Sequence, residues 1–328
     1  MKKIIDRKFC VAPMMGYTTP YARNLYRILS KKTFLFSEMV ATKTLIHSKN
    51  IQSIVANKSQ NPIALQVGGS EYDDLKRCAH LAYDLNYDEI NLNLGCPSKA
   101  VQKGIFGACL MQDKKLVKNC LDAMQINKSI EVSVKCRIGL GKNFNYDYFE
   151  EFIEEILKSG INVVYVHARN AILTGISPKD NRTIPPLNYD FVKRIKSKFP
   201  NITFILNGGI DNIEKAIELS KSHDGVMLGR LVQNNPFCLK DVDNLFYDQP
   251  NKYRISENTI KEYFTFIKPK IGSDSIYRLL SPLLNIFFGI PHGKQFKIDI
   301  HSNMKKNNFD ILEKIFIKFI KEKKLIIN

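Results

Sequence analysis

Short apolar runs alternate with amphipathic stretches along the first 240 residues. Eight runs have the length and the β-branched or aromatic content of buried strands. They are residues 9–14, 33–39, 62–67, 89–95, 131–137, 162–168, 202–208 and 225–230. Between most of them apolar residues recur every three or four positions, which predicts helices. These helices cover residues 21–30, 72–85, 114–124, 146–159, 189–198 and 212–221. The pattern is therefore a repeat of strand and helix.

Eight such units in about 230 residues match the repeat count and length of a (β/α)8 TIM barrel, in the α/β class. A doubly wound parallel sheet is the competing architecture. The barrel is favoured because no G-x-G-x-x-G motif opens the first helix, and because each strand ends in a polar or glycine cluster.

The repeat stops near residue 240. Residues 241–256, with Pro250 and Asn251, are typical of a linker, and from residue 257 the apolar spacing of three and four predicts a small helical bundle. We therefore expect a catalytic barrel over residues 1–240, a linker over 241–256 and a helical C-terminal domain over 257–328.

Composition excludes several classes of protein. Of the 328 residues, 44% are apolar and 25% charged, as in soluble globular proteins. No apolar run approaches the ~18–20 residues needed to span a bilayer, and the lysine-containing start lacks the apolar segment of an export signal. Seven cysteines, an odd number without a C-x-x-C pair, argue against a disulfide framework or a zinc site and favour the reducing cytoplasm. The six histidines show no metal-ligand spacing, so no metal is expected.

The net charge of +17 is compatible with a polyanionic partner such as a nucleic acid. Most of the basic residues are lysines, however, and the abundance of Ile and Asn indicates a compositional bias. Basic residues are also spread at similar density over the barrel and the tail. Charge alone therefore leaves a nucleic-acid partner and an ordinary solvated surface both open.

Residues that suit a planar, phosphorylated cofactor stand where the predicted strands end. Asn207–Gly209 and the pair Gly229 and Arg230 follow the last two strands, where barrels of this kind bind phosphate. Gln66 can both donate to and accept from a polar heterocycle, and Lys135 supplies a positive charge. Each feature alone has an ordinary explanation, such as a turn or, for Lys135, an ion pair with Glu89 inside the barrel. Their joint occurrence at strand ends favours the cofactor.

Cys96 is the strongest candidate for chemistry, because it lies just past the fourth strand and faces the site. A cysteine thiol has an ordinary pKa of about 8.5, so near neutrality it is mostly protonated and suits a general acid. The alternative is a small buried apolar residue. Cys109 is a weaker candidate, since its neighbours predict packing at a helix start. His167 alone is more often a structural histidine than a catalytic one.

Ten motifs of the chain resemble, in order and spacing, those of the flavin-dependent tRNA-dihydrouridine synthases over residues 9–237. They are VAPMMGYT, FSEM, PIALQVGG, YDEINLNLGCPS, GIFGACLM, VSVKCRIG, VHARNA, SPKDNRTIPPL, LNGGI and GVMLGR. The segment ILTGISPKDNRTIPPL, which follows VHARNA, is similar to that of the A subfamily, which modifies positions 20 and 20a of the tRNA D-loop.

The resemblance implies a role for each matching residue. Cys96 would donate a proton to the uracil. FMN would be held by Pro13, Met14, Met15, Gln66, Lys135, His167, Asn207, Gly208, Gly209, Gly229 and Arg230. The tRNA would be contacted by Asn93, Lys179, Arg182, Arg278, Lys294 and Lys297.

The implied reaction is reduction of a uridine in tRNA to dihydrouridine, with NADPH, or NADH, as a transient reductant of FMN. The expected partner is tRNA, with neither a membrane nor a metal, and the chain is expected to be monomeric and cytoplasmic. Two alternatives stay open: an FMN barrel that reduces a free pyrimidine, and a tRNA-binding protein without redox turnover.

Overall fold

Eight parallel strands form a near-closed barrel in the computed structural model, which describes residues 5–49, 51, 55–57, 59–125, 130–249, 254–287, 290, 291, 293–306 and 308–323. The strands are β1 Phe9–Val11, β2 Leu35–Ala41, β3 Ile63–Gly68, β4 Glu89–Leu94, β5 Glu131–Arg137, β6 Val163–His167, β7 Thr203–Asn207 and β8 Gly225–Leu228. Their spatial order is β1-β8-β7-β6-β5-β4-β3-β2. Backbone bonds from Val11 N to Phe34 O (2.9 Å) and from Phe34 N to Phe9 O (3.0 Å) join β1 to the segment before β2. The TIM barrel predicted from the sequence is thus confirmed.

The barrel interior is packed rather than open. Phe36 of β2 and Tyr165 of β6 meet edge to face inside it, with ring centroids 5.0 Å apart. Below them, at the amino-terminal ends of the strands, Arg7 pairs with Glu89 at 2.6 Å between Nη2 and Oε2. Both partners are buried, so the ion pair closes the bottom of the barrel. The alternative explanation for Lys135, an ion pair with Glu89, is therefore wrong, because Glu89 pairs with Arg7.

Several of the helices that surround the barrel begin at short polar residues. A side-chain oxygen of Thr19, Asp113, Asn145, Asn188 or Asn212 accepts from the backbone N–H three residues ahead and caps the following helix. Among the described residues, the helices of the barrel region are, in chain order, Pro20–Leu29, Thr42–His47, Tyr72–Asp84, Lys99–Lys103, Lys114–Met124, Tyr146–Leu157, Tyr189–Lys198, Ile213–Ser220 and Arg230–Asn234.

The predicted linker, residues 241–256, contains a helix, Val242–Tyr247, that is hydrogen-bonded to the barrel. The Tyr247 hydroxyl accepts from Phe9 N (3.0 Å), and the Asp243 carboxylate accepts from the backbone N–H of Lys31 (2.8 Å) and from the Ser30 hydroxyl. In its described part, this stretch therefore packs against the amino-terminal end of the barrel instead of spanning free space.

The C-terminal region is helical, as predicted, with helices Glu257–Ile267, Ile276–Leu284, Gly293–Lys305 and Phe309–Glu322. Predicted helical residues 288, 289, 292, 324 and 325 lie outside the described part of the chain. Tyr21 meets Phe266 edge to face, with centroids 6.4 Å apart, and Asn285 Nδ2 donates to Gln233 O at 2.7 Å. These contacts seat the helices on the barrel beside Pro20–Leu29. Among the helices that can be described, none is long and apolar enough to cross a membrane.

Candidate functional site

The strand register brings the sequence-predicted residues of β4 to β8 to one end of the barrel. Asn93 of β4 is paired with Lys135 of β5. Further along β5, Arg137 is in register with His167 of β6, which is in register with Asn207 of β7. This carboxyl-terminal rim is where barrels of this type carry their chemistry.

Lys135 is held in the rim by a neighbour two strands away. Its Nζ donates to Asn207 Oδ1 at 3.1 Å, and Asn207 Nδ2 donates to Met227 O of β8 at 2.7 Å. Burial, followed by repulsion from Arg137, lowers the pKa of Lys135 to about 8. Protonation of the Lys135 amine is thus costly, and an anion beside it would stabilise the charged form.

The glycines after β7 create space that side chains already use. Gly208 has φ +115°, and a Cβ there would lie 2.6 Å from His167 Cδ2. A Cβ on Gly209, at φ +65°, would lie 2.4 Å from Leu187 Cδ1. The Tyr189 hydroxyl donates to Gly208 O at 2.6 Å. Close packing and positive φ together explain why glycine is needed here.

The loops after β1 and β8 meet beside that glycine pair. A Cβ on Gly229 would lie 3.2 Å from the sulfur of Met14, so glycine lets the two loops approach. Pro13 and Met14 are half-buried, whereas Met15 is 65% exposed. Arg230 is also exposed, and its Nη2 donates to Arg182 O at 3.4 Å.

The electrostatics of the rim are strongly positive. Burial lowers the pKa of His167 well below its ordinary value, and the charges of Arg137, Lys135, Arg169 and Arg230 lower it further. These four charged groups are all cations, so the ring is neutral near pH 7 and lies among positive charges. Such a cluster, next to glycines that allow close backbone approach, fits a phosphorylated anionic cofactor.

Cys96 is half-buried on the loop that follows β4. Asn93 Oδ1 accepts from Gly95 N (3.2 Å) and Cys96 N (3.0 Å), which fixes the backbone beneath the thiol. The Cys96 Sγ lies 3.6 Å from Ser98 Oγ. Cys109, the weaker candidate, directs its thiol at Phe106 O (3.1 Å), and burial raises its pKa. The Cys109 thiol therefore has a backbone carbonyl as its partner, whereas the Cys96 thiol lies beside a hydroxyl.

Gln66 lies deeper, with its side chain buried, and Asn93 Nδ2 donates to Gln66 Oε1 at 2.9 Å. The same Asn93 amide thus contacts a predicted cofactor residue on one side and the Cys96 loop on the other.

Arg137, to which the sequence assigns no role, donates hydrogen bonds to three backbone carbonyls of the site in the structure. Arg137 Nε donates to Gly95 O (3.1 Å), and Nη1 donates to Asn170 O (3.0 Å) and Asn181 O (2.8 Å). Burial lowers its pKa to about 10. One guanidinium therefore joins the Cys96 loop to the segment after β6. Its signal in the sequence was a second basic residue two positions after Lys135, on the same face of the strand.

The segment after β6 presents Lys179 and Arg182 to solvent on either side of the buried Asn181. Asn181 Oδ1 accepts from Ile172 N (2.8 Å), which folds the segment onto itself. Gln102 Nε2 donates to Pro97 O (2.8 Å) and to Leu173 O (3.0 Å), so the Cys96 loop and this segment touch again. The two cations thus lie on a segment that contacts the Cys96 loop.

The remaining tRNA candidates lie on the C-terminal helices rather than on the barrel. Arg278 is paired with Asp274 at 2.6 Å between Nη1 and Oδ2, and its guanidinium lies 5.7 Å from the Tyr21 ring centroid. Lys294 and Lys297 are exposed and three residues apart on Gly293–Lys305, so they share a face. Within the described ranges, no three or more His, Cys, Asp or Glu side chains are grouped as metal ligands would be.

Comparison with known proteins shows which family the chain is similar to. The family model described as dihydrouridine synthase matches residues 10–323. The chain is 37% identical over 310 residues to a tRNA-dihydrouridine(20/20a) synthase of Shewanella oneidensis, covering 94% of this chain and 92% of the relative. A protein of the same name from Vibrio cholerae is 39% identical over 302 residues, covering 91% and 92%. One from Yersinia pestis is 38% identical over 302 residues, covering 92% and 87%.

Proposed function

The chain belongs to the dihydrouridine synthase family of FMN-dependent oxidoreductases, and from this premise we propose that it reduces uridines 20 and 20a in the D-loop of tRNA to 5,6-dihydrouridine. The relatives from Shewanella oneidensis and Vibrio cholerae support the proposal, because both are named for this substrate and the match covers 92% of each. NADPH, or NADH, is the electron donor, and the cytoplasm, where tRNA is modified, is the compartment.

The observation that carries the proposal is that a half-buried thiol and a cation cluster meet at one rim. Cys96 follows β4 directly, and the neighbouring strand β5 carries Lys135 and Arg137. Reduction of a C=C bond needs a hydride on one carbon and a proton on the other. The rim offers both an anion site for a flavin phosphate and a proton donor.

The rim fits FMN by its donor set. The glycine pair Gly208 and Gly209, with Gly229 and Arg230, would hold the phosphate, because backbone N–H groups and a guanidinium suit that anion. Gln66, Lys135, His167 and Asn207 would hold the polar part of the ring, with Pro13, Met14 and Met15 beside it. Bound FMN, with NADPH as its reductant, would supply the hydride for C6 of the uracil.

The chain's own residues supply the rest. Cys96 gives the proton to C5, and its loop is held for that task by Asn93 and Arg137. Lys135 keeps a positive charge where negative charge develops during reduction. His167, whose pKa is lowered by burial, remains a neutral hydrogen-bonding group there.

A uridine within folded tRNA reaches this rim only when it is turned out of its stack. Lys179 and Arg182 on the barrel, and Arg278, Lys294 and Lys297 on the C-terminal helices, would hold the surrounding phosphates, and Asn93 would contact the base. Cations of this kind steer and position nucleic acid without reading its sequence.

A substrate comparison tests the function. Purified protein is loaded with FMN and reduced by NADPH, and reoxidation is followed with unmodified tRNA or with free uridine. We expect rapid reoxidation by tRNA and none above background by uridine. Equal rates with both substrates would replace the proposal with reduction of a free pyrimidine.

A further inference from the structure

A continuous chain of hydrogen bonds runs through the barrel from its bottom to the Cys96 loop. Asn93 Nδ2 donates to Gln66 Oε1 (2.9 Å), Gln66 Nε2 to Asn91 Oδ1 (2.8 Å) and Asn91 Nδ2 to Ser133 Oγ (2.6 Å). The Ser133 hydroxyl donates to Glu89 Oε1. Asn93 is 8% exposed and the other four side chains 1% or less. We call these five residues the amide chain.

The strand register builds the amide chain. Gln66 of β3 is paired with Asn91 of β4, and Asn91 is paired with Ser133 of β5. Glu89 and Asn93 stand two residues to either side of Asn91, so all three face the barrel interior. The apolar residues between them, Ile90 and Leu92, face the helices.

The lower end of the amide chain has a fixed polarity. Arg7 donates to Glu89 Oε2 through Nε (3.0 Å) and Nη2 (2.6 Å), and Tyr165 donates to the same oxygen at 3.2 Å. Burial raises the pKa of Glu89, whereas Arg7 and the Ser133 hydroxyl counter that rise. A guanidinium in direct contact holds the carboxyl in its ionised form, which only accepts hydrogen bonds.

The acceptor role of Glu89 determines the donor and the acceptor of each hydrogen bond above it in the amide chain. Because Glu89 accepts, Ser133 must donate, and the Ser133 oxygen is then left to accept from the Asn91 amide. The Asn91 carbonyl must therefore face the Gln66 NH2 group. The Gln66 carbonyl in turn faces the Asn93 NH2 group. Each side-chain amide has two possible orientations, and each hydrogen bond of the amide chain selects one of them.

The upper end of the amide chain reaches the proton donor. With its NH2 group toward Gln66, Asn93 turns its carbonyl to Gly95 N and Cys96 N. The reverse flip would place NH2 against two N–H groups, and both bonds would be lost. The orientation that holds the Cys96 loop is thus the one that the chain below it selects.

We propose that Glu89, which touches neither cofactor nor substrate, is a positioning residue that acts through Ser133 and Asn91. Glu89 determines whether the carbonyl or the NH2 group of the Gln66 side chain faces the flavin. It also keeps Asn93 in the orientation that supports Cys96. This role rests on the proposed function, because it concerns the same flavin and the same proton donor.

The test is the variant Ser133→Ala, which cuts the amide chain and leaves the Arg7–Glu89 pair intact. Its matched control is Ser30→Ala, because Ser30 is 1% exposed and also donates its hydroxyl to a buried carboxylate, Asp243, which is not part of the amide chain. The readouts are the absorbance spectrum of bound FMN, the FMN dissociation constant, kcat with tRNA, and Tm.

We expect both variants to have a lower Tm, since each loses the buried hydrogen bonds of one hydroxyl group. Only Ser133→Ala shifts the flavin absorbance bands and lowers kcat, by about 5- to 20-fold, the effect of one lost buried partner. Ser133→Thr, which keeps the hydroxyl, restores the spectrum and kcat. A purely structural role for Ser133 predicts a lower Tm with an unchanged spectrum.

Glu89→Gln tests the polarity itself. Arg7 requires an oxygen, so the new NH2 group would face Ser133 and favour the reverse direction along the chain. We expect the same spectral shift as in Ser133→Ala, and no further shift when both changes are combined. The inference is overturned if Ser133→Ala binds FMN with the wild-type spectrum and turns over at the wild-type rate. Wild-type protein that fails to bind FMN or to form dihydrouridine would instead refute the proposed function.

Discussion

Lys135 on β5 donates a 3.1 Å hydrogen bond to Asn207 on β7, across the intervening strand that carries His167. The bond fixes the ammonium group at the barrel mouth, where burial lowers its pKa to about 8. Because burial disfavours this charge, we expect an anion beside Lys135 to stabilise the charged form.

The affinity for FMN should fall as the pH rises through about 8. Below that value the Lys135 ammonium is charged and attracts the anionic cofactor, whereas above it the neutral amine gives no such attraction. Titration of the apoprotein with FMN between pH 6.5 and pH 10 measures this. Lys135→Met should bind more weakly and lose the step near pH 8. A step of equal size in that variant would assign the titration to another group.

The same shift has a consequence for the stability of the apoprotein. Since the pKa of Lys135 is lowered from 10.5 to about 8, the folded protein binds fewer protons than the unfolded chain between these values. The contribution of Lys135 to the free energy of unfolding therefore increases as the pH rises from about 8 to 10.5. Denaturant unfolding of wild-type protein and of Lys135→Met isolates this contribution.

Cys96→Ala should bind FMN, be reduced by NADPH and lose at least ~100-fold in dihydrouridine formation, because a general acid contributes that much. Cys109→Ala is the matched control, since its thiol is directed at a backbone carbonyl. It should keep most of its activity. Single-turnover reoxidation by tRNA separates the two, and an active Cys96→Ala enzyme would assign the proton to another donor.

Gly208→Ala should abolish FMN binding. The new methyl group would lie 2.6 Å from His167 Cδ2, and the residue must also adopt φ +115°. Gly272→Ala controls for the backbone alone, because it has φ +84° and nothing within 4 Å of the new Cβ. It should cost ~1–2 kcal/mol of stability and leave FMN affinity unchanged. Fluorescence titration with FMN gives both affinities.

Lys179→Ala combined with Arg182→Ala should weaken tRNA binding and leave the reduction of FMN by NADPH unchanged. Each lost phosphate contact should make the plot of log affinity against log salt shallower by about 0.7–0.9. Lys198→Ala is the control, because Lys198 is already paired with Glu150 and Glu154 on the barrel exterior. An unchanged salt slope in the double variant would remove this segment from the tRNA interface.

The sequence predicted all eight strands, because a strand buried on both faces leaves a short apolar run that helices interrupt at regular spacing. It also pointed to the rim, since barrel topology brings the strand ends together whatever the side chains do. Boundaries were less accurate. β2 runs over Leu35–Ala41 rather than 33–39, and its register shifts between Phe36 and Met39.

Contacts that depend on register between distant strands were not predictable from local pattern. Arg137 reaches the Cys96 loop only because β4 and β5 are neighbours, and Asn91 meets Ser133 for the same reason. The polar alternation of Glu89, Asn91 and Asn93 on an otherwise apolar strand was nevertheless visible. Such alternation within a buried strand indicates a polar network, since buried polar groups need partners.

The most direct measurement of the central claim is a map of dihydrouridine in unmodified tRNA after incubation with this protein, FMN and NADPH. We expect dihydrouridine at positions 20 and 20a, and none in the Cys96→Ala reaction. Dihydrouridine elsewhere in the D-loop would contradict the assigned positions. No dihydrouridine at any position, with FMN bound and reduced, would show that the protein does not reduce uridine in tRNA.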